Sequence, residues 1–158
     1  MHPSAEAFAE RARDEHDLSV EVTEFPEGTK TAADAADAVG CDVAQIVKSI
    51  VMNADGDHVV ALTSGANRVS ERRLADHLGA PADEVGPASP GAVKETLGWS
   101  IGGVPPVCHD RDVPVLFDPD LGEYETVWAA AGTPEAVFPV DPDQLLATAG
   151  ASVVDVTE

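Results

Sequence analysis

The stretch IVKSIVMNADGDHVVALTS, residues 46–64, contains the clearest strand pattern of the sequence. It contains two apolar runs rich in β-branched residues, residues 46–53 and 58–64, and such runs predict strands. The dipeptide Asp55-Gly56 between them is typical of a two-residue hairpin turn. The stretch therefore predicts an antiparallel hairpin, with Lys48 in the middle of its first apolar strand.

Helices and strands alternate irregularly on both sides of this hairpin. Strands are predicted over residues 18–25, 113–118, 124–132, 136–140 and 151–156. Five helices are expected, the first over residues 4–16, because each position has a polar N-cap residue. These caps are Ser4, Thr31, Ser70, Ser89 and Asp141. Since the order contains no strict βαβ repeat, we predict an α/β (mixed α+β) fold and one domain over residues 1–158.

The charge of the chain is strongly negative. It has 29 acidic and 9 basic residues, which gives a net charge of −20. The acidic residues are spread between apolar positions, as expected for a folded protein with a uniformly acidic surface. Such a surface repels itself unless salt screens it, and at about 1 M salt the Debye length is only about 3 Å. We therefore expect a cytoplasmic protein of an extreme halophile.

The composition also excludes several classes of protein. No apolar run is long enough to span a membrane, and the polar N-terminus is unlike a secretory signal. Cys41 and Cys108 form no CxxC pair or disulfide framework. The acidity argues against long-range capture of nucleic acid. It does not argue against a local site for the end of an RNA, because counterion release contributes little at high salt.

Lys48 is a candidate functional residue. The chain has only three lysines, Lys30, Lys48 and Lys94, and an ammonium among apolar neighbours is costly unless a partner meets it. A lysine whose aliphatic stem runs along the strand to water is the alternative. The scarcity of lysine favours the functional interpretation.

The segment GWSIGGVPPVCHD, residues 98–110, is a candidate binding loop. Gly102-Gly103 allows close approach of the backbone to a ligand and can direct amide donors outward. Such donors suit a carbonyl or phosphate oxygen. A tight turn between elements explains the same glycines. The following Cys108-His109-Asp110 suggests a thiol hydrolase or a metal site, but sequence neighbours on a strand point to opposite faces, so a buried loop thiol is favoured.

Two further polar features leave alternatives open. The basic cluster Arg68, Arg72 and Arg73 could contact a phosphate backbone, or could form ion pairs on a solvated helix face with Glu71 and Asp76. Asp118 follows an apolar strand, where functional carboxylates often lie. It could equally initiate a turn before Pro119.

Four segments, taken in order, resemble one family. They are TAADAADAVG with QIVKSIVM, VALTSGANRVSERRLADHLG, LGWSIGGVPPVCHD, and VLFDPDLGEYETVWAAAGTPEAVFPVDPDQLL. The chain resembles the YbaK-like aminoacyl-tRNA deacylases, relatives of the editing domain of bacterial prolyl-tRNA synthetase. The resemblance implies a mixed β-barrel-like sheet flanked by helices, with one pocket for the 3′ end of a charged tRNA.

The resemblance also implies site residues. As catalytic residues it implies Lys48, Gly102 and Gly103, and as substrate-binding residues Thr31, Asp118, Gly132 and His109; it implies no metal and no cofactor. One departure is Leu97-Gly98-Trp99, where the family often has Thr-Gly-Tyr. A role of that threonine therefore does not transfer to this chain.

The expected function is trans-editing: hydrolysis of mischarged Ala-, Cys- or Ser-tRNA of the proline system. The expected partners are the 3′ end of aminoacylated tRNA and prolyl-tRNA synthetase, and neither a membrane nor DNA is expected. A non-catalytic module that binds a tRNA end or a protein is the alternative. A thiol hydrolase that uses Cys108 and His109 is the third reading.

Overall fold

The computed structural model describes residues 2–25 and 31–158; Lys30 lies outside these ranges. The described helices are α1 (Pro3–His16), α2 (Ala32–Val39), α3 (Glu71–Leu78), α4 (Pro90–Leu97) and α5 (Pro142–Ala149). Among the described residues, no helix is both long and apolar enough to cross a bilayer. The strands are β1 (Thr23–Glu24), β2 (Ile46–Ala54), β3 (Asp57–Ser64), β4 (Val85–Pro87), β5 (Val115–Phe117), β6 (Val127–Ala130), β7 (Ala136–Val140) and β8 (Ser152–Val153).

These strands form a mixed sheet. Its order is β1-β7-β6-β2-β3-β5-β8, and β4 pairs with β2 outside this path. The pairs β2–β6, β3–β5 and β5–β8 are parallel, whereas β2–β3, β2–β4, β1–β7 and β6–β7 are antiparallel. The predicted hairpin is present, with φ values of 52° at Asp55 and 90° at Gly56, as a two-residue turn requires.

Helices pack on both faces of the sheet, and the mixed α/β prediction is therefore confirmed. On one face, Phe8 of α1 contacts Phe138 and Trp99, with ring centroids 5.1 and 6.2 Å away. On the other face, Leu74 of α3 joins a buried cluster with Met52 and other strand residues. Neighbouring residues of β2 and β3 divide between the two clusters because side chains alternate along a strand.

Four of the five predicted N-caps are confirmed. The side chains of Thr31, Ser70, Ser89 and Asp141 each accept a hydrogen bond from a backbone N–H of the following first turn. The prediction for Ser4 is wrong. The helix begins at Pro3, and Ser4 N–H donates to Nδ1 of His2, 3.0 Å away, so the histidine is the cap.

Several predicted strands are shorter in the structure. Residues 18–25 contribute only two strand residues, residues 124–132 only four, and residues 151–156 only two. Leu18 is nevertheless buried, and Val20 and Val22 pack against the core. The alternating hydrophobicity of this segment predicted that its apolar side chains are buried. It could not predict whether another strand lies beside the segment and pairs with it. The short strand β4 and three 3-10 helices, Val43–Gln45, Ala82–Glu84 and Pro119–Glu123, were not predicted.

Candidate functional site

The candidate site lies where the sheet opens along one edge of β2. On this edge, β2 pairs with β6 only at Ile46 and Val47, and with β4 only from Met52 onward. Among the described strands, none pairs with residues 48–51 on this side, although Val51 O accepts a hydrogen bond from Ala88 N–H. The gap gives access to the sheet from the side, between β6 and β4.

An apolar cavity of about 450 Å³ lies in this gap. Small and branched apolar side chains form most of its wall, together with the partly buried Trp128. All three isoleucines of the chain, Ile46, Ile50 and Ile101, line it. Such a cavity suits a small apolar group better than a charged one.

Lys48 stands at the rim of this cavity. Its Nζ donates to the carbonyl oxygen of Asn67 at 2.6 Å, and the side chain is partly buried. Burial lowers the pKa of Lys48, and the nearby charge of Arg68 lowers it further, while Asp118 acts in the opposite direction. The ammonium of Lys48 therefore has a carbonyl oxygen as its partner. Among the described residues no carboxylate contacts it, so its positive charge is not neutralised.

A second, more open cleft of about 500 Å³ adjoins the cavity. It shares Lys48, Ile50 and Pro87 with the cavity, and Arg68 lies on its wall. Of the predicted basic cluster, Arg68 therefore lies beside Lys48. Arg73 instead pairs with Asp155 at 3.6 Å, rather than with the acidic neighbours expected from the sequence.

Asp118 lies behind Lys48 and does not line the cavity. It is 4% exposed, and its Oδ2 accepts hydrogen bonds from Ser64 N–H and from Nδ2 of Asn67, at 3.0 and 2.8 Å. Its Oδ1 accepts from Asp120 N–H at 2.9 Å, which is the predicted turn geometry before Pro119. Asp118 thus accepts a hydrogen bond from the side chain of Asn67, and the carbonyl oxygen of Asn67 accepts one from Lys48.

The glycine loop forms one wall of the cavity. Gly103 N–H donates to Ser100 O at 3.0 Å, which closes a turn with Gly102 at φ +88°. Gly102 lines the cavity, and its N–H has no hydrogen-bond acceptor within residues 2–25 and 31–158. A Cβ on Gly103 would lie 2.7 Å from the backbone of Thr133, so close packing requires glycine there. The two glycines therefore differ in role: Gly102 leaves a donor available, whereas Gly103 closes the turn.

Two other polar residues line the cavity. Thr31 caps α2, and its Oγ1 accepts from Asp34 N–H at 3.1 Å. Ser49, next to Lys48, has a buried hydroxyl with no hydrogen-bond partner among the described residues. A buried hydroxyl without a partner is costly, and here it faces a space that a ligand could occupy.

The structure places Gly132 and His109 away from this cavity. Gly132 has φ +96°, and a Cβ there would lie 2.7 Å from Ser4 O and 2.9 Å from the Trp99 ring. It therefore permits α1 to pack closely. A ring nitrogen of His109, Nε2, lies 2.8 Å from Pro105 O, and burial lowers the pKa of this histidine.

The geometry gives no support for Cys108 as a nucleophile. Its thiol is buried, and burial raises its pKa to about 12, so it is protonated at neutral pH. The ring of His109 contacts the Pro105 carbonyl and no hydrogen bond joins it to this thiol in the described residues.

Sequence reasoning missed Ser49, Asn67 and Ile101. Strict alternation would put Ser49 and Lys48 on opposite faces of the sheet, yet the open edge exposes both to one cavity. Ile101, at 52% exposed, is one of few large hydrophobic residues exposed to solvent. Its position between the candidate glycines and Trp99 was the available signal.

Comparison with known proteins decides the family. The model of the aminoacyl-tRNA editing domain matches residues 26–148. The chain belongs to this family. The resemblance to YbaK-like proteins and to the editing domain of bacterial prolyl-tRNA synthetase is therefore confirmed.

The chain spans most of the length of some of its relatives and only a small part of others. The protein YwhH of Bacillus subtilis is 29% identical over 126 residues, 79% of this chain and 78% of YwhH. The proline–tRNA ligase of Levilactobacillus brevis is 32% identical over 68% of this chain, which spans only 19% of the ligase. The crystal structure of a candidate trans-editing enzyme for prolyl tRNA synthetase is 40% identical, with a TM-score of 0.93 over 100% of this chain and 99% of that one.

Proposed function

We propose that this protein is a free-standing aminoacyl-tRNA deacylase, a single domain over residues 1–158, that removes wrong amino acids from tRNA. The observation that carries the proposal is the apolar cavity at the open edge of β2, with a cationic rim formed by Lys48 and Arg68. The cavity suits an aminoacyl side chain, and the rim suits a phosphate. The family match and the similarity to a candidate trans-editing protein support it.

In the proposed complex, the terminal adenosine lies over the cleft and the aminoacyl group enters the cavity. Lys48 and Arg68 then contact the phosphate or ribose of the adenosine. Because two cations lie close together here, an anionic group would relieve their mutual repulsion as well as bind. Ser49 and Thr31 offer hydrogen-bonding groups on the cavity wall.

The chemical step needs stabilisation of the developing oxyanion. We assign this role to the amide of Gly102, which is available, while Gly103 holds the loop in place. Loss of one such donor typically costs about 10²- to 10³-fold in rate. Since no Ser-His-Asp set lines the cavity among the described residues, we assign the nucleophile to water or to a group of the substrate itself.

The substrate class follows from the relatives. The editing-domain relatives that are proline–tRNA ligases support tRNA of the proline system as the substrate. We propose alanine, cysteine or serine as the amino acid that is removed. Prolyl-tRNA synthetase is then the natural partner, and the cytoplasm the site of action. Neither a metal nor a cofactor has a role in this reaction as we propose it.

The test is a deacylation assay in KCl with Ala-, Cys-, Ser- and Pro-charged proline tRNA. We expect selective hydrolysis of at least one mischarged tRNA by the native protein, and loss of it in Lys48→Ala. Lys94→Ala is the matched control, because Lys94 is exposed and donates only to Gly98 O at the end of its own helix. Cys108→Ala should retain activity.

Absence of hydrolysis of every ester by folded protein would overturn the proposal. If that protein still bound the charged tRNA end, the binding module would be the correct reading.

A further inference from the structure

Three metal-ligating side chains meet at a place remote from the Lys48 cavity. Glu15 and His16 end helix α1, and Cys108 lies in the loop after the glycine turn. One donor atom of each residue, a carboxylate oxygen, a ring nitrogen and the sulfur, lies within 4.8 Å of the other two. Sequence spacing could not reveal this set, because its members meet only through the packing of α1 against the loop.

The chemistry of the set is selective. Thiolate, imidazole and carboxylate are the three ligand types that Zn²⁺ takes in proteins, at about 2.0–2.3 Å. Harder ions such as Mg²⁺ and Ca²⁺ prefer oxygen alone. A cavity of about 130 Å³ is lined by all three residues and by His109 and Asp112, which leaves room for an ion and a water ligand.

The thiol is held firmly in this position. Cys108 adopts φ +66°, its carbonyl oxygen accepts a hydrogen bond from the Trp99 indole at 2.9 Å, and its side chain is buried. Glu15 and His16 are exposed at a helix end and can adjust. In a tetrahedral zinc site the donor atoms lie about 3.6 Å apart, so these two side chains need to close by only about 1 Å.

The charges around the cluster are of both signs, because Arg111 and Asp112 line the same cavity as the three ligands. Glu15 Oε2 already pairs with Arg11 Nε at 2.7 Å, which leaves Oε1 for an ion. Arg11 also pairs with Asp110 at 2.9 Å, so its positive charge is largely compensated.

We propose that Glu15, His16 and Cys108 form a three-ligand site for Zn²⁺, with water in the fourth position. The ion displaces the proton of the Cys108 thiol on binding, and this proton is released to solvent. The site would tie the end of α1 to the loop that follows the glycine turn. It is independent of the deacylase proposal, since none of its ligands lines the Lys48 cavity.

The test is a titration of tag-free, metal-stripped protein with Co²⁺, followed by absorption. A thiolate-to-cobalt charge-transfer band in the near ultraviolet reports the Cys108 ligand directly. Weak binding of Co²⁺ to the many surface carboxylates gives no such band. We expect one equivalent to produce the band, and Zn²⁺ to remove it.

Variants identify the ligands. Cys41→Ser is the matched control, because Cys41 is the other free cysteine and lies outside the cluster; it should keep the band, and Cys108→Ser should lose it. His16→Gln and Glu15→Gln alter exposed residues and should fold normally. Each should weaken Co²⁺ binding at least about tenfold, since loss of even an outer partner commonly costs about 10- to 100-fold.

Three results would each overturn the proposal. They are absence of the band in the native protein, its loss in Cys41→Ser, and native affinity in both His16→Gln and Glu15→Gln.

Discussion

At Lys48, a partly buried ammonium contacts a carbonyl oxygen and not a carboxylate. A carbonyl partner satisfies one N–H of the ammonium without neutralising its charge. Arg68 adds a second positive charge nearby. Lys48 can therefore bind the anionic group of a ligand. A lysine in an internal ion pair could not, because a carboxylate of the protein would already neutralise its charge.

The lowered pKa of Lys48 predicts a pH-dependent affinity for the tRNA end. Its ordinary value is 10.5, and in the folded protein the charge is lost at a lower pH. Binding of the trinucleotide CCA, whose phosphodiesters keep their charge, should therefore weaken on the order of tenfold as pH rises toward 10.5. Lys48→Arg keeps its charge and should bind CCA almost independently of pH. Equal pH profiles for both proteins would contradict the assignment.

Asp118 is predicted to act through Asn67. Asp118→Asn exchanges one acceptor oxygen for an amide donor and leaves buried N–H groups unsatisfied, at a cost of about 1–3 kcal/mol. Deacylation should fall as well, because Asn67 positions Lys48. Asp120→Asn is the matched control: it also contacts Asn67, at 2.7 Å, but on the exposed side. Urea unfolding and the deacylation rate measure both effects, and equal stability of the two variants would refute the network.

At the scale of elements, the site depends on residues 48–51 of β2, which no described strand pairs with on the side of β6 and β4. The hairpin and four helix caps were predictable from sequence because each depends on a few neighbouring residues. The gap between β6 and β4 depends on pairings between distant segments, for which local patterns carry no information. The resemblance implied a shared pocket for Lys48 and Gly102, but local patterns did not show that this pocket lies at the open edge of β2.

Substitution of either loop glycine should destabilise the protein, but for different physical reasons. Gly102→Ala forces a non-glycine residue into φ +88° and should cost about 1–2 kcal/mol, although its Cβ meets nothing closer than 3.6 Å. Gly103→Ala places a Cβ 2.7 Å from the Thr133 backbone, and overpacking of this kind costs about 1–3 kcal/mol and displaces the loop. Gly91→Ala in α4 meets no atom within 4 Å and serves as the control.

Thermal unfolding and deacylation would be measured for all three glycine variants. Gly91→Ala should keep both stability and activity. A Gly103→Ala protein as stable as Gly91→Ala would contradict the packing of this loop.

At the scale of the molecule, a net charge of −20 predicts that salt stabilises the folded state. Self-repulsion of the folded state is screened as the Debye length falls from about 10 Å at 0.1 M to about 3 Å at 1 M. The unfolding temperature should therefore rise steeply with KCl over this range. An unfolding temperature that is equal at both concentrations would contradict the prediction of a halophilic protein.

A triple variant separates charge screening from other effects of salt. Asp14→Asn, Asp37→Asn and Asp76→Asn change exposed helix residues whose carboxylates make no hydrogen bond or ion pair among the described contacts. This variant should be more stable than the native protein at 0.1 M KCl and show a shallower dependence on salt. An unchanged salt dependence would assign the stabilisation to water activity and not to charge.

In the proposed complex, the aminoacyl group of a charged tRNA end occupies the cavity at the open edge of β2. Because all three isoleucines line this cavity, a protein labelled only at isoleucine methyl groups carries three NMR probes, all of them in the site. The most direct measurement is a titration of this protein with 3′-alanylamino-3′-deoxyadenosine, which cannot be hydrolysed as an ester. We predict saturable shifts of all three methyl signals, weakened in Lys48→Ala. Binding of the compound with all three signals unchanged would place the aminoacyl group outside this cavity and refute the proposed site.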